Sequence, residues 1–220
     1  MEENRKGTGV FYAVVGVATL VVAIIGATFA YFSASQTNTD VAGTTASGAN
    51  LSLVVTRVSD EATNKNMIPM KTTDLQKGVT GTNNRSCIDA NGNTVCQVYK
   101  VTVGNGSADI GINVKGTMKL ETTATNMKWE VLTDAATVDA EATVFEKGTD
   151  SIIVANQLLT STANAATASA DFYIVIWLEE TNGPQDTADA GMTFNGTIKF
   201  DGVNSDGSAS SGITAKFGNA

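Results

Sequence analysis

The sequence predicts an all-β, jelly-roll-like β-sandwich preceded by an N-terminal signal-peptide helix. Three observations carry that expectation. Apolar and polar residues alternate at period two in several separate segments, the mark of strands with one face on a core. Two Pro and 21 Gly in 220 residues, with Thr and Asn abundant, suit many short strands and polar turns better than helices. One apolar run near the amino terminus ends at small residues, and the composition then turns to Ser, Thr and Asn.

That run comes first along the chain. Arg5 and Lys6 give a basic start, and Val10 to Ile25 is apolar except for Gly16 and Thr19. Thr28 and Ala30 supply the small residues of a signal-peptidase site. Cleavage between Ala30 and Tyr31 leaves a mature chain of about 190 residues, the size of one domain. The alternative is a retained anchor, because Val10 to Phe32 is about 23 residues and about 20 suffice to span a bilayer. The chain therefore divides into a signal peptide (1–30), an extended N-terminal segment (31–50) and a β-sandwich (51–220). No internal repeat or second domain boundary is visible.

The strands follow in order. Leu51–Val58 is a candidate, and residues 60–94 are expected to form loops or edge excursions. Val95, Tyr99, Val101 and Val103 alternate with polar residues. In Asp109–Leu120 the even positions Ile110, Ile112, Val114, Gly116, Met118 and Leu120 form the apolar set, giving one strand or two joined at Gly116. Met127–Leu132 and Ser151–Val154 are shorter candidates, separated by an undecided 133–150. Asn156–Ala170 is Ala-rich enough for a short helix, but its Thr, Ser and Asn oppose one. Phe172–Leu178 is apolar on both faces, as a central strand covered on both sides would be. Met192, Phe194, Gly196, Ile198 and Phe200 alternate again, and Ile213–Phe217 closes the set. Eight or nine strands in one domain point to a sandwich.

Cys87 and Cys96 flank Asn91-Gly92, a strong tight-turn signal. The expectation is a hairpin closed by a Cys87–Cys96 disulfide, which an oxidising exterior permits. The chain-entropy model gives such a loop about 2.7 kcal/mol. The alternative is two free thiols in a reducing cell.

A formal net charge of −8 disfavours nucleic acid and anionic lipid as partners. The signal segment carries Glu2, Glu3, Arg5 and Lys6, which cancel, so the mature chain keeps that charge. The chain has no His, which excludes a His-based triad and a His-Glu-x-x-His zinc site. Gly104-Asn105-Gly106 reads as a turn between strands and fits no phosphate loop. Glu179, Glu180, Asp186 and Asp189 suggest paired carboxylates, against the plainer reading of a solvated loop. Asp201-Gly-Val-Asn-Ser-Asp-Gly207 is acidic like a calcium loop but misses its ligand spacing. Sequons at Asn84, Asn105 and Asn195 are matches that an Asn-, Ser- and Thr-rich chain makes by chance. No catalytic residue, metal site or cofactor is expected, and the chain is read as not an enzyme.

Three blocks resemble the TasA/camelysin family of secreted bacterial proteins. Gly26-Ala-Thr-Phe-Ala-Tyr-Phe-Ser33, followed by Thr45-Ala-Ser-Gly-Ala-Asn-Leu-Ser-Leu53, is similar to that family's cleavage region and following strand. Tyr99-Lys-Val-Thr-Val-Gly-Asn-Gly-Ser-Ala-Asp-Ile110 resembles a strand ending in Asn-x-Gly-Ser. Phe172–Leu178 with Gly191–Phe200 is similar to the family's final strands. The resemblance implies a jelly-roll subunit, processing by a dedicated signal peptidase, and assembly into extracellular fibres of a biofilm matrix. Some members are described as metalloproteases, an activity that a chain without His does not inherit.

The leading expectation is a secreted homopolymer of the cell surface or biofilm matrix. Its partners are further copies of itself, with signal peptidase during export and membrane contact only through an uncleaved signal segment. The assembly strand would be the released terminus, with Tyr31 first and Phe32 and Ala34 on one face. The alternative is a membrane-tethered adhesin that does not polymerise. Amino-terminal sequencing of cell-surface material is expected to begin at Tyr31; a start at Met1 or Glu2 defeats the secreted reading.

Overall fold

A computed structural model describes Tyr12 and residues 14–19, 51–59, 64–78, 87–132, 145–181, 183, 185, 186, 189, 192–204 and 212–218. Ala30, Tyr31, Phe32 and Ala34 lie outside the described residues, as do Arg5, Lys6, Thr28 and Asn84. Of the apolar N-terminal run, Tyr12 and residues 14–19 are helical. Among the described residues no helix is long and apolar enough to cross a membrane.

The described residues hold eleven strands: β1 (Leu51–Arg57), β2 (Asn64–Met67), β3 (Asn93–Thr94), β4 (Cys96–Asn105), β5 (Ile112–Thr122), β6 (Met127–Leu132), β7 (Phe145–Glu146), β8 (Ser151–Leu159), β9 (Ser169–Leu178), β10 (Phe194–Asn204) and β11 (Ile213–Gly218). A five-stranded sheet in the order β1-β4-β9-β6-β7 packs on a four-stranded sheet in the order β11-β10-β5-β8. Every ladder in both sheets is antiparallel. The chain changes sheet between β4 and β5, β5 and β6, β7 and β8, β8 and β9, and β9 and β10. The expected all-β sandwich is the fold.

Period two decides which side chains enter the core. On β5, Ile112, Val114, Met118 and Leu120 are buried between the sheets; on β10, Phe194, Ile198 and Phe200 face them. Gly116 and Gly196 interrupt these apolar rows because rings lie over them. A Cβ at Gly116 would sit 2.6 Å from the Phe200 ring, and one at Gly196 would sit 2.1 Å from the Phe217 ring. Gly196 is the direct cross-strand partner of Phe217, so the ring fills the space its neighbour leaves. Tyr99 continues the layer, its ring centroid 4.3 Å from that of Phe217.

The apolar two-faced segment is the centre of the five-stranded sheet. On β9, Phe172, Ile174, Ile176 and Leu178 point into the sandwich. Val175 and Trp177 point the other way, into a second cluster with Val98, Cys96 and Leu132. That outer cluster is roofed by the excursion between β1 and β4. Leu75, from the short helix Thr72–Gly78, Cys87 and Val95 form the roof, with Val58, Ile68 and Met70 packed against it. The region expected to form loops or edge excursions is an excursion whose described residues pack as a third layer.

Several boundaries differ from the sequence reading. Val95 belongs to the outer cluster, because the chain turns between β3 and β4 and breaks the alternation. Ile110 lies before β5 and is 38% exposed. β8 continues to Leu159, and the Ala-rich stretch holds only a 3-10 helix, Thr162–Thr167. Gly104 and Asn105 finish β4 and do not form a turn. Residues 133–144 are outside the described set.

The Phe217 ring leaves no room for a methyl group at Gly196. Gly196→Ala is expected to lower stability by about 1–3 kcal/mol in urea denaturation, and adding Phe217→Leu is expected to recover part of that loss.

Candidate functional site

The cysteine loop forms as expected. Cys87 and Cys96 are bonded, with Cα atoms 4.9 Å apart, and both are fully buried. Val95 N donates to Cys87 O at 2.8 Å, and Ile88 bridges Thr94. Gly92 turns the chain at φ 81°, a conformation that costs glycine little. Asp89 organises the turn: its carboxylate accepts from Asn91 N at 2.9 Å, Asn93 N at 2.7 Å and Asn93 Nδ2 at 3.0 Å. Burial pushes the Asp89 carboxyl up, but hydrogen bonds from Asn93 and Asn91 together outweigh it and hold the group below its ordinary value. A lowered carboxyl favours the folded state above the unfolded value and loses that contribution as pH falls through the folded one.

Of the acidic residues singled out by sequence, Asp189 and Glu179 are bound into the fold, and Glu180 and Asp186 are exposed as in a solvated loop. Asp189 is fully buried and accepts four hydrogen bonds. Thr125 N (2.8 Å) and Asn126 N (3.2 Å) reach Oδ1; Asn126 Nδ2 and Gln185 Nε2, both at 2.8 Å, reach Oδ2. It ties the β5–β6 crossover to the β9–β10 crossover. Glu179 accepts from Thr72 N at 3.3 Å, Thr72 Oγ1 at 2.5 Å and Trp177 Nε1 at 2.8 Å. It docks the short helix on the sheet. Among the described residues no three of His, Cys, Asp and Glu are grouped to hold a metal.

Asp201 through Asn204 extend β10, and Asp201 pairs with Lys199 at 2.8 Å. Residues 205–210 are outside the described set. Of the sequons, Asn195 is exposed on β10, whereas Asn105 is buried. Asn105 Nδ2 donates to Ile110 O at 2.8 Å and Thr160 O at 2.9 Å, and its Oδ1 accepts from Ser107 N at 2.9 Å. This clamp joins the β4–β5 and β8–β9 crossovers at the end of the sandwich opposite Asp189. Sequence reasoning missed both clamps. The nearest signal was an Asn and an Asp in Gly- and Thr-rich loops, which solvated turns share.

The strand order places four strands at sheet edges. β1 and β7 end the five-stranded sheet; β11 and β8 end the four-stranded one. The inner residues of β1 and β11 are already closed over. Leu51, Leu53 and Val55 on β1 and Ile213, Ala215 and Phe217 on β11 are each no more than 3% exposed. Next to β1, on the outer face of the sheet, Lys100 pairs with Asp171 at 2.9 Å, and Thr102 Oγ1 donates to Asp171 at 2.6 Å. The hydrogen bond with Asp171 raises the Lys100 amine above its ordinary value. For Asp171, burial pushes up and the Lys100 and Thr102 hydrogen bonds push down, leaving it lowered. A pair this exposed contributes little stability, but it leaves the surface beside β1 locally neutral.

No family model matches the chain, and no curated protein matches it. Among solved structures, the chain is similar to the putative ApaA protein of Bordetella pertussis at 12% identity, covering 78% of this chain and 94% of that chain, TM-score 0.34. It is similar to the CooA pilin subunit of enterotoxigenic Escherichia coli at 9% identity, covering 60% and 92%, TM-score 0.23. It is similar to the pilus backbone RrgB of Streptococcus pneumoniae at 12% identity, covering 70% and 53%, TM-score 0.21. At such scores these likenesses carry no argument.

Asp189→Ala is expected to destabilise the domain by about 2–3 kcal/mol, since two main-chain N–H groups lose a charged acceptor. Thermal melting measures it, and an unchanged melting temperature would show that the clamp is ornamental.

Proposed function

We propose that this chain is a secreted structural subunit that assembles into extracellular fibres of a cell surface or biofilm matrix. The observation that carries the reading is a sandwich whose core is closed while its edge strands keep main-chain groups available. Exposed edges template pairing with another chain. The buried disulfide fits an oxidising exterior, and the motifs shared with the TasA/camelysin family point the same way. The polar clamps use the buried Asp and Asn for architecture, which favours a structural role over catalysis.

In this reading assembly proceeds by strand addition. After cleavage at Ala30, residues 31–41 form a segment without Pro or Gly, about 35 Å long if extended. Tyr31–Val41 of one copy adds to a sheet edge of the next, with Phe32 and Ala34 on one face as anchors. Burying Phe32 contributes roughly 1.5–3 kcal/mol. The contact is heterologous, so it propagates as a filament. Because the inner residues of β1 and β11 are already buried, the incoming strand completes hydrogen bonding and fills no missing core. The subunit therefore needs no donor in order to fold.

Deleting residues 31–40 from the mature protein is expected to leave a folded protein that forms no fibres by electron microscopy. Normal fibres from that truncation would remove the donor role of this segment. A full mature chain that never forms fibres would remove the proposed function itself.

A further inference from the structure

The Cys87–Cys96 bond is closed off from solvent. Both cysteines are 0% exposed, and thiol–disulfide exchange requires access to a sulfur. The cluster around the bond has Val98, Val175 and Trp177 of the sheet as its floor and Leu75 of the short helix in its roof, all fully buried. The hairpin between the cysteines closes on bonds of its own. Val95 N donates to Cys87 O, Asp89 N to Asn93 O, and Gly92 N to Asp89 O, with the Asp89 carboxylate spanning the turn. None of these bonds involves the helix, so the two thiols can meet before the helix is in place.

The helix is set on the sheet through two adjoining attachments. Met70 N donates to Leu178 O at 2.9 Å, and Met70 O accepts from Glu180 N at 3.1 Å. Two residues later, the N–H and the hydroxyl of Thr72 both donate to the Glu179 carboxylate. Glu179 is itself firmly placed. Its N donates to Asn126 O at 2.9 Å, its O accepts from Gln185 Nε2 at 3.0 Å, and its carboxylate also accepts from Trp177 Nε1. Met70 is thus a hinge and Glu179 a catch. A helix of seven residues has little stability alone, so it keeps its place while the catch and Leu75 hold it.

We infer that the short helix Thr72–Gly78 is a redox-gated lid: the Cys87–Cys96 bond is made while the lid is off, and the docked lid then keeps thiols from reaching it. Making the bond takes a disulfide outside the chain as oxidant. One Cys thiolate attacks it, the second Cys thiolate resolves the mixed disulfide, and two electrons and two protons pass from the cysteines to the oxidant. Breaking the bond runs the same exchange backwards and needs the lid open again. The bond in turn shapes the surface on which the lid sits. Cys87 has φ 48°, a left-handed conformation that a residue with a Cβ resists. Two unbonded sulfurs also need more room than a bonded pair, in a close-packed cluster. The reduced chain therefore keeps the lid off and leaves Trp177 uncovered.

Lifting the lid is a local event. Leu75 belongs to the outer cluster and not to the inner core, so the sandwich stands without it, as sub-global openings require. The device goes beyond fibre assembly and works the same way in a free subunit. Only the place where the bond is made rests on the secreted reading: a chain with both thiols reduced leaves the cell with its lid off, and the lid closes outside.

Reduction of the mature protein by dithiothreitol reads the lid. The folded protein is expected to be reduced about 100-fold more slowly than the urea-unfolded chain, the combined effect of burying Leu75 and of a hydrogen bond to a charged group. Thr72→Ala is expected to speed reduction about 10-fold, and Thr72→Ser to keep the wild-type rate. Gly196→Ala in the other sheet and Asn105→Ala at the other end of the sandwich weaken the domain away from the lid, and both are expected to leave the rate unchanged. The chain has two Trp, and their indole N–H signals in NMR report the reduced state. The Trp177 signal is expected to move on reduction, and that of Trp129, in the inner core, to stay. The inference is overturned if the folded protein is reduced as fast as the unfolded chain, or if Thr72→Ala changes nothing. It is overturned if Gly196→Ala or Asn105→Ala speeds reduction as much as Thr72→Ala, which makes global unfolding the route. It is also overturned if neither indole signal moves on reduction, which leaves the lid closed without the bond, or if both move, which makes the whole sandwich depend on it.

Discussion

Strand β9 is buried on both faces, and the rest of the molecule is arranged to satisfy it. Its inward row of Phe172, Ile174, Ile176 and Leu178 needs a second sheet, which β5 and β10 provide. Its outward pair, Val175 and Trp177, needs a roof. A single sheet–sheet contact cannot supply both, so the chain spends the stretch between β1 and β4 on a third layer. That layer is short of regular structure and needs fasteners. The Cys87–Cys96 bond holds one side of it, and Glu179 holds the other through Thr72 and Trp177.

The crossovers impose the second constraint. Passing repeatedly between sheets puts loop backbone at both ends of the sandwich, where water is partly excluded and each N–H and C=O still needs a partner. Main-chain bonds between loops meet part of that need, and two side chains add to them. Asn105 uses its amide as both donor and acceptor at one end. Asp189 uses four acceptor positions at the other. Each joins two crossovers that are far apart in sequence, so each also fixes how the sheets are stacked.

With the core closed and the loops tied, the four edge strands differ in character. Short length, bulges and a lysine mark three of them, and β1 stays regular and uncharged before Arg57.

The sequence by itself determined the strands of the sandwich. Alternation at Met118–Leu120 and Phe194–Phe200, and the two-faced run at Phe172–Leu178, depend only on local side-chain direction, which every strand obeys. The disulfide was legible for the same reason, since Asn91-Gly92 turns the chain locally between two cysteines. Tertiary structure alone decided the roof, the clamps and the edges. Leu75 and Val95 form no periodic pattern, because their layer packs by shape over Trp177. Asp189 and Asn105 are ordinary loop residues until a second, sequence-distant loop surrounds them with donors and acceptors. An edge strand and an interior strand share one alternation; only the order of strands in the sheet shows that β1 has a neighbour on one side.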